Sequence, residues 1–311
     1  MSNAIAAATL DWYGCATYRL TVPAAKADGS DLVVFLDAYI DRVPGAAGPR
    51  PPLTADDVDA ADWILVGHSH FDHLWGAERI VARTGATLVA SHESVRVMEA
   101  AGVELAKLMP VAGGERIRLA PEVFVSVYPS LHSCVWSHAG MSQPDEVCLG
   151  DLRVTHQERL ERLGGLGSFI ASLGDDVRAH LRDSNQDPRG DGGALVFVIE
   201  TPEGTLLYQD TSGHWSGILM NLRPDVAILA AAGRGNVDGE PVQGSLAGFV
   251  ARQAWMLRPR RVVLSHHDDW LPGFSVATDT SSIRDELGRW LPETELAEIG
   301  YLDGYEVFPG R

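Results

Sequence analysis

The chain has 311 residues, 45% of them hydrophobic and 22% charged, which is the composition of a globular protein with a substantial core. Its formal net charge is −17, from 25 Lys and Arg against 42 Asp and Glu. Such an acidic surface repels phosphate backbones and anionic membranes, which argues against nucleic acid or a membrane as partner. The sequence shows no secretory signal, no apolar run that could span a bilayer and only three scattered cysteines, so we expect a cytoplasmic protein.

The first half of the chain alternates between strand and helix patterns. In chain order the pattern predicts a strand pair over 9–22, strands over 32–36, 63–66, 87–90 and 123–128, and a helix from about 74 to 84. A second helix is predicted after Ser91, which is a candidate N-cap with Glu93 in the first turn. Residues 41–52 are rich in Gly and Pro and are predicted to form a loop.

Residues 133–190 differ in character from the rest of the chain. They contain a polar, helix-like stretch over about 155–181, which Gly164-Gly165 is expected to interrupt, and then a loop. Strand patterns resume after this segment, over 194–199, 205–208, 226–229 and 261–264.

The most informative motif follows the strand that ends at Val66. His68, His70, Asp72 and His73 fall within six residues, so three imidazoles and a carboxylate can line one small volume. These groups suit Zn²⁺, Mn²⁺ or Fe²⁺, and a bound ion can turn water into a nucleophile at neutral pH. The motif therefore predicts a metal-dependent hydrolase.

Other candidate ligands also follow predicted strands. Asp37, His132, Asp210 and His266 each come directly or closely after an apolar strand, as the 68–73 run does. Loops from strand ends converge on a rigid scaffold in sheet-based enzymes. We therefore expect these side chains to meet in one site.

The ordered set His68-x-His70-x-Asp72-His73, His132, Asp210 and His266 resembles the metallo-β-lactamase-fold hydrolase superfamily over about residues 9–270. The resemblance implies an α/β, four-layer αββα sandwich, here as a single domain over 1–311 with 133–190 as an insert or lid. It also implies two divalent metal ions, with Zn²⁺ the first expectation and Mn²⁺ or Fe²⁺ the alternatives.

The resemblance further implies a role for each candidate. The first metal would be bound by His68, His70 and His132. The second would be bound by Asp72, His73 and His266, and Asp210 would bridge the two. Asp37 matches a buried aspartate that supports the ligands by hydrogen bonds.

His267 competes with His266 for the ligand position and would otherwise support the site or contact substrate. Trp136 and His138, which open the insert, and His214 and Trp215, which follow Asp210, are candidates for the substrate pocket. Trp75 is expected to pack in the core or at its rim. The helical His92, His156 and His180 are expected to face solvent.

The segments 12–20, 36–39 and 266–270 resemble, more narrowly, the branch that contains L-ascorbate-6-phosphate lactonase. Many members of that branch carry a histidine where this chain has Cys15. The superfamily's redox di-iron members typically have Glu at the position of His70, so His70 favours hydrolysis.

Three functions follow from the sequence. The leading one is hydrolysis of an ester or lactone bond in a small molecule by a metal-bridged hydroxide, with Asp72 or Asp210 as the group that passes a proton to the leaving group. The second is a small-molecule phosphodiesterase, and the third is a metal-binding sensor or scaffold without turnover. Exposed apolar faces of the insert could also pair subunits into a homo-oligomer.

Overall fold

The computed structural model describes residues 7–134, 155–185, 193–242 and 244–308. The strands within these ranges are β1 Thr9–Gly14, β2 Thr17–Val22, β3 Leu32–Leu36, β4 Trp63–Leu65, β5 Thr87–Ser91, β6 Leu108–Val111, β7 Arg116–Ala120, β8 Val123–Pro129, β9 Leu195–Thr201, β10 Gly204–Gln209, β11 Gly213–His214, β12 Val226–Ala230, β13 Asn236–Val237, β14 Glu240–Pro241, β15 Arg261–Ser265, β16 Glu295–Ala297 and β17 Tyr305–Glu306. The α-helices are α1 Phe71–Leu74, α2 Ala77–Thr84, α3 His92–Ala100, α4 His156–Ala171, α5 Asp175–Ser184, α6 Ser216–Leu219, α7 Leu246–Leu257 and α8 Ser281–Trp290. Within these ranges, none of the helices combines the length and apolar character needed to cross a membrane.

The strands form two seven-stranded mixed sheets and one small sheet within the described ranges. The first sheet has the order β17-β1-β2-β3-β4-β5-β6 and the second the order β16-β15-β12-β10-β9-β8-β7, while β11, β13 and β14 form the small sheet. Strands β3, β4, β5 and β6 run parallel to one another, and so do β10, β12, β15 and β16. Parallel neighbours place the carboxyl ends of their strands, and the loops that follow, along one edge of each sheet.

The side chains of each strand point alternately to the two faces of its sheet, and this alternation produces the layers of the fold. Val34 and Leu36 of β3 join Tyr208 of β10 in one apolar cluster shared by the two sheets. Phe35 points the other way and packs in a cluster with residues of α2 and α3, and Leu207 packs likewise with residues of α7 and α8. The result is helix, sheet, sheet, helix, which confirms the predicted αββα sandwich.

The helix predicted over about 74–84 begins differently. A short helix, α1, ends at Leu74, and α2 begins at Ala77. Gly76 separates them with φ of 102°, a left-handed conformation in which a side chain is strained, and an added Cβ would lie 2.9 Å from that of Ala55. Because of this break, the end of the metal motif lies on a helix of its own.

The insert is helical where the structure describes it. The predicted interruption at Gly164-Gly165 is wrong, because α4 continues through both glycines to Ala171. Glycine costs about 1 kcal/mol in a helix relative to alanine, which neighbouring residues can offset. The side of α5 that carries Val177 and Leu181 packs against the body of the protein.

Candidate metal centre

Strand ends bring the predicted residues together as the sequence suggests. Asp37 follows β3, the 68–73 run follows β4, and Asp210 and His266 directly follow β10 and β15. His132 follows β8 by three residues. Within the described residues, three groups of His, Cys and Asp donors each have their ligand atoms within 4.8 Å of one another.

The first donor group contains His68, His70 and His132. The Nε2 atom of His68 lies 3.0 Å from Nδ1 of His70, close to the separation of about 3.3 Å expected for two nitrogens bound to one tetrahedral ion. Nδ1 of His132 lies 2.9 Å from the backbone oxygen of Ser133, which makes it the protonated nitrogen and leaves Nε2 for a metal. His70 and His132 are half-buried, so this group reaches solvent.

The second donor group centres on Asp72. Its Oδ2 atom lies 3.1 Å from Nε2 of His266 and 3.4 Å from Nε2 of His73. The group consists of Asp72, His266 and Cys15, and the sequence pattern did not place Cys15 in the site. The separations around Asp72 are again those of atoms that can share an ion.

Asp210 belongs to a third group, with His68 and His73. Its Oδ2 atom is 2.5 Å from Nδ1 of His68 and 3.4 Å from Nδ1 of His73, and the side chain is fully buried. Its Oδ1 atom is buried without a hydrogen-bond partner among the described residues. Oδ1 is therefore the oxygen left to bind an ion, and the bridging role of Asp210 stays a prediction.

Gly67 makes room for Asp210. A Cβ atom at position 67 would lie 2.0 Å from Oδ2 of Asp210, far inside van der Waals contact. The glycine between β4 and His68 thus allows the carboxylate to reach the first histidine of the motif. The sequence pattern shows only that Gly67 follows a strand. It cannot show that Asp210, which is distant in sequence, approaches this glycine so closely.

The two carboxylate oxygens of Asp37 contact the metal motif at separate points. One oxygen accepts a hydrogen bond from the backbone nitrogen of Gly67 at 2.9 Å, and the other lies 2.6 Å from Nδ1 of His73. The hydroxyl of Tyr208 lies 2.5 Å from that second oxygen. A carboxylate that holds Nδ1 of a histidine directs Nε2 towards a metal and fixes the ring.

Burial and mutual charge set the protonation of these groups in the metal-free protein. Burial raises the pKa of Asp37 and of Asp210 to about 6. Burial would also raise the pKa of Asp72, but His73 and His266 outweigh it and hold that pKa well below its usual range. Conversely, burial would lower the pKa of His73, but Asp72 and Asp37 raise it well above its usual range.

Two histidines of the first group have pKa values shifted in the opposite direction to that of His73. Burial lowers the pKa of His68 and of His132 well below the ordinary value, and neighbouring histidines add to the effect. Neutral imidazole is the form that binds a metal. Together with the unpartnered Oδ1 atom of Asp210, these neutral imidazoles fit divalent transition-metal ions.

The structure separates His266 from His267. His266 lies in the second donor group, whereas the ring of His267 stacks on Trp12 with ring centres 4.6 Å apart. The side chain of His266 extends from a left-handed residue, with φ of 60°. This geometry supports the choice of His266 over His267 as ligand.

The predicted pocket residues lie in different settings. His214 is buried and stacks on Phe249 of α7, and its two ring nitrogens have no hydrogen-bond partner in the described part of the chain. Trp215 is 39% exposed. Trp136 and His138 lie outside the described residues, so the pocket assignments stay predictions.

His180 corrects another expectation. It was predicted to face solvent, as His92 and His156 do, but it is buried and its Nε2 lies 2.7 Å from the hydroxyl of Tyr39. The partner is 141 residues away in sequence, so the helical pattern alone could not show it. Trp75 is half-buried, as expected, with its ring centre 4.8 Å from that of His180.

An aromatic wall lies beside the second donor group. We use this name for five rings, those of Tyr39, Phe71, Trp75, Trp270 and Phe274. The ring centre of Trp270 lies 5.4 Å from that of His266, and α5 of the insert packs on the same cluster. The insert therefore contacts the body next to the site.

Comparison with known proteins agrees with this architecture. The family described as Beta-lactamase superfamily domain matches residues 33–187. A UPF0173 metal-dependent hydrolase of Pyrobaculum arsenaticum is 31% identical over 122 residues, which are 39% of this chain and 49% of that protein. The chain thus spans about half the length of the relatives it matches.

Solved structures share the fold over nearly the whole chain. Igni18, a metallo hydrolase of Ignicoccus hospitalis, is 15% identical with a TM-score of 0.58, and the match covers 96% of this chain and 97% of that one. An isothiocyanate hydrolase from Delia radicum gut bacteria is 14% identical with a TM-score of 0.54, covering 96% and 99%. At such identities the likeness shows the fold alone. This chain belongs to the metallo-β-lactamase-fold superfamily, as its fold, the matched domain and the ordered His and Asp residues at its strand ends together show.

Proposed function

We propose that the protein is a dinuclear metal-dependent hydrolase that cleaves an ester or lactone bond in a small molecule. The observation that carries the proposal is the convergence of two donor groups, one around His68 and one around Asp72, at one edge of the sandwich. Bound divalent ions would supply Lewis-acid activation of the scissile group and of the attacking water. The ions would be Zn²⁺ first, with Mn²⁺ or Fe²⁺ as alternatives.

The side chains have separate tasks in this proposal. His68, His70 and His132 would bind the first ion, and Asp72, His73 and His266 the second. Asp210 would bridge the two ions through its unpartnered oxygen. Asp37 would hold His73 in the orientation that directs Nε2 to the metal.

Asp72 is better placed than Asp210 to pass a proton to the leaving group. The side chain of Asp72 is 13% exposed, whereas that of Asp210 is fully buried. A group that exchanges protons with a substrate must come within hydrogen-bond reach of it. We therefore assign the proton transfer to Asp72.

The surroundings favour an uncharged substrate. The ring of Trp270 beside His266 is apolar and almost fully buried, and the net charge of the chain is −17. An acidic protein attracts a neutral ester or lactone more readily than an anionic phosphodiester. The charge of the chain therefore favours the first function over the phosphodiesterase.

The test is turnover by the Zn²⁺- or Mn²⁺-loaded protein on a panel of lactones, carboxylic esters and bis-p-nitrophenyl phosphate. We expect hydrolysis of a lactone or ester that is lost in the variant His68→Ala/His70→Ala and retained in His92→Ala/His156→Ala, whose histidines are exposed. Turnover of the phosphodiester alone would favour the second function. Metal binding without turnover of any panel member would favour a sensor or scaffold.

A further inference from the structure

Cys15 lies in the turn that joins β1 to β2 and is fully buried. Its backbone is held by three hydrogen bonds. The nitrogen donates to Oδ1 of Asp268 at 3.0 Å, and the oxygen accepts from the backbone nitrogen of His266 at 2.8 Å and from Nε1 of Trp12 at 3.1 Å. The residue is thus attached directly to a candidate ligand from the opposite sheet.

Both residues at this junction have left-handed backbones, with φ of 50° at Cys15 and 60° at His266. Such a conformation is unfavourable for a non-glycine residue, because its Cβ atom comes too close to the following carbonyl oxygen. The hydrogen bonds between the two loops therefore hold each backbone in a form that it would seldom adopt alone. They fix where the thiol and the imidazole lie relative to each other.

The thiol points at the second donor group. Its sulfur lies 3.6 Å from the backbone oxygen of Asp72, and its ligand atom is within 4.8 Å of those of both Asp72 and His266. Atoms that share a tetrahedral ion lie about 3.3–3.7 Å apart, given bonds of about 2.0 Å to oxygen or nitrogen and 2.3 Å to sulfur. A shift of about an ångström would close this group on one ion.

We propose that Cys15 is a thiolate ligand of the second metal, together with Asp72 and His266. The proposal rests on the metal centre proposed above and adds a sulfur donor to its imidazole and carboxylate set. The two positions then differ in kind, since the first is bound by three imidazoles and the second includes a soft donor. Thiolate favours Zn²⁺ or Co²⁺ over Mn²⁺, so the second position would discriminate against Mn²⁺.

The test is the ultraviolet–visible spectrum of the full-length protein titrated with Co²⁺, in parallel with the metal-to-protein ratio by mass spectrometry. We expect a sulfur-to-cobalt charge-transfer band in the near ultraviolet as the second equivalent binds. The band should persist in Cys134→Ser, a matched change at a buried cysteine whose backbone nitrogen bonds instead to the oxygen of Arg234. It should be absent from Cys15→Ser.

Cys15→His separates loss of sulfur from loss of structure. A histidine restores a nitrogen donor, so this variant should keep the second Co²⁺ but lack the band. Cys15→Ser should bind the second ion more weakly by at least the roughly 10–100-fold that removal of a supporting group costs. If Cys15→Ser does not fold, the spectra of the wild type and Cys134→Ser decide the matter.

The proposal for Cys15 is overturned if two Co²⁺ ions bind to the wild type without a charge-transfer band, or if the band survives in Cys15→Ser. In both cases the hydrolase proposal is unaffected. If the wild type binds no metal and hydrolyses nothing, the metal centre itself is wrong and the role of Cys15 is wrong with it. The two proposals therefore fail by different results.

Discussion

Nδ1 of His73 lies 2.6 Å from Oδ2 of Asp37, and both side chains are buried. The two residues follow neighbouring parallel strands, β3 and β4. The pair fixes which nitrogen of His73 is directed at Asp72 and the candidate metal position. It makes the strand end after β3 part of the site, although Asp37 belongs to none of the three donor groups.

Replacement of Asp37 should therefore weaken metal binding without removing a ligand. For Asp37→Ala we expect a loss of about 10–100-fold in the affinity of the second metal, because His73 loses its orienting partner. Isothermal titration calorimetry with Zn²⁺ measures this affinity. Asp62→Ala is the control, since Asp62 pairs with Lys26 away from the site. Unchanged Zn²⁺ affinity in Asp37→Ala would contradict the orienting role.

Gly67→Ala should disrupt the site through Asp210. The new Cβ would overlap the carboxylate, so Asp210 must leave its position against Nδ1 of His68. We expect a loss of about 1–3 kcal/mol in the free energy of unfolding, as for other overpacked sites, with weaker metal binding. Urea unfolding and metal content measure both effects.

Gly217→Ala is the matched control for that substitution. Gly217 lies in α6, and an added Cβ there meets nothing within 4 Å. Its metal content should match that of the wild type, and its stability should be the same or up to about 1 kcal/mol higher, because alanine is the better helix former. Wild-type stability and metal content in Gly67→Ala would show that the close approach to Asp210 is not required.

Metal binding should weaken as the pH falls. Asp72 and Asp37 raise the pKa of His73 well above its ordinary value, so a proton competes with the metal for this imidazole. Protonated His73 stabilises the metal-free fold through Asp72 and Asp37. This contribution is fully present below the pKa of an unfolded histidine and is lost as the pH rises through the raised pKa of the folded protein. We therefore expect Zn²⁺ to raise the melting temperature more at pH 8 than at pH 6, with release of protons on binding.

Calorimetric titration in buffers of different ionisation enthalpy counts those protons. His68→Ala/His70→Ala keeps His73 and should still release protons at the second position. Zn²⁺ binding with no proton release at pH 7 would be inconsistent with the raised pKa of His73.

His180 should make the stability of the fold depend on pH, independently of the metal site. Burial lowers its pKa to about 4, and Arg42 adds to the shift, against an ordinary value of 6.5. Because the unfolded chain binds the proton more readily, stability is full above pH 6.5 and is lost as the pH falls towards 4. Between pH 7 and pH 5 the loss from this residue is about 2 kcal/mol.

His180→Phe removes this titration. At pH 7 we expect the variant to be less stable by about 1 kcal/mol, because the hydroxyl of Tyr39 loses its partner. At pH 5 the difference should shrink or reverse. His156→Phe, at an exposed position of α4, is the control. A stability difference that stays the same at both pH values would show that His180 is not held neutral.

Much of this architecture could be predicted because it depends on local pattern. Apolar runs such as 32–36 and 63–66 identified the strands, and the polar residues that follow them identified the site. The fold and superfamily were thus reached from Asp37, the 68–73 run and the later His and Asp residues, and both are confirmed.

What could not be predicted depends on contacts between distant parts of the chain. His180 is buried because Tyr39 lies beside α5, and Gly67 is needed because Asp210 approaches it. Gly76 ends one helix and permits another through a left-handed turn that periodicity does not reveal. Cys15 joins the site only because the β1–β2 turn meets the loop after β15.

If the two donor groups bind two metal ions, equilibrium dialysis against Zn²⁺ will show it in the metal-to-protein ratio. We expect a ratio of about two for the wild type and about one for His68→Ala/His70→Ala, which keeps Asp72, His73 and His266. His92→Ala/His156→Ala should retain the wild-type ratio. A wild type that binds no Zn²⁺, or a His68→Ala/His70→Ala variant that still binds two ions, would contradict it.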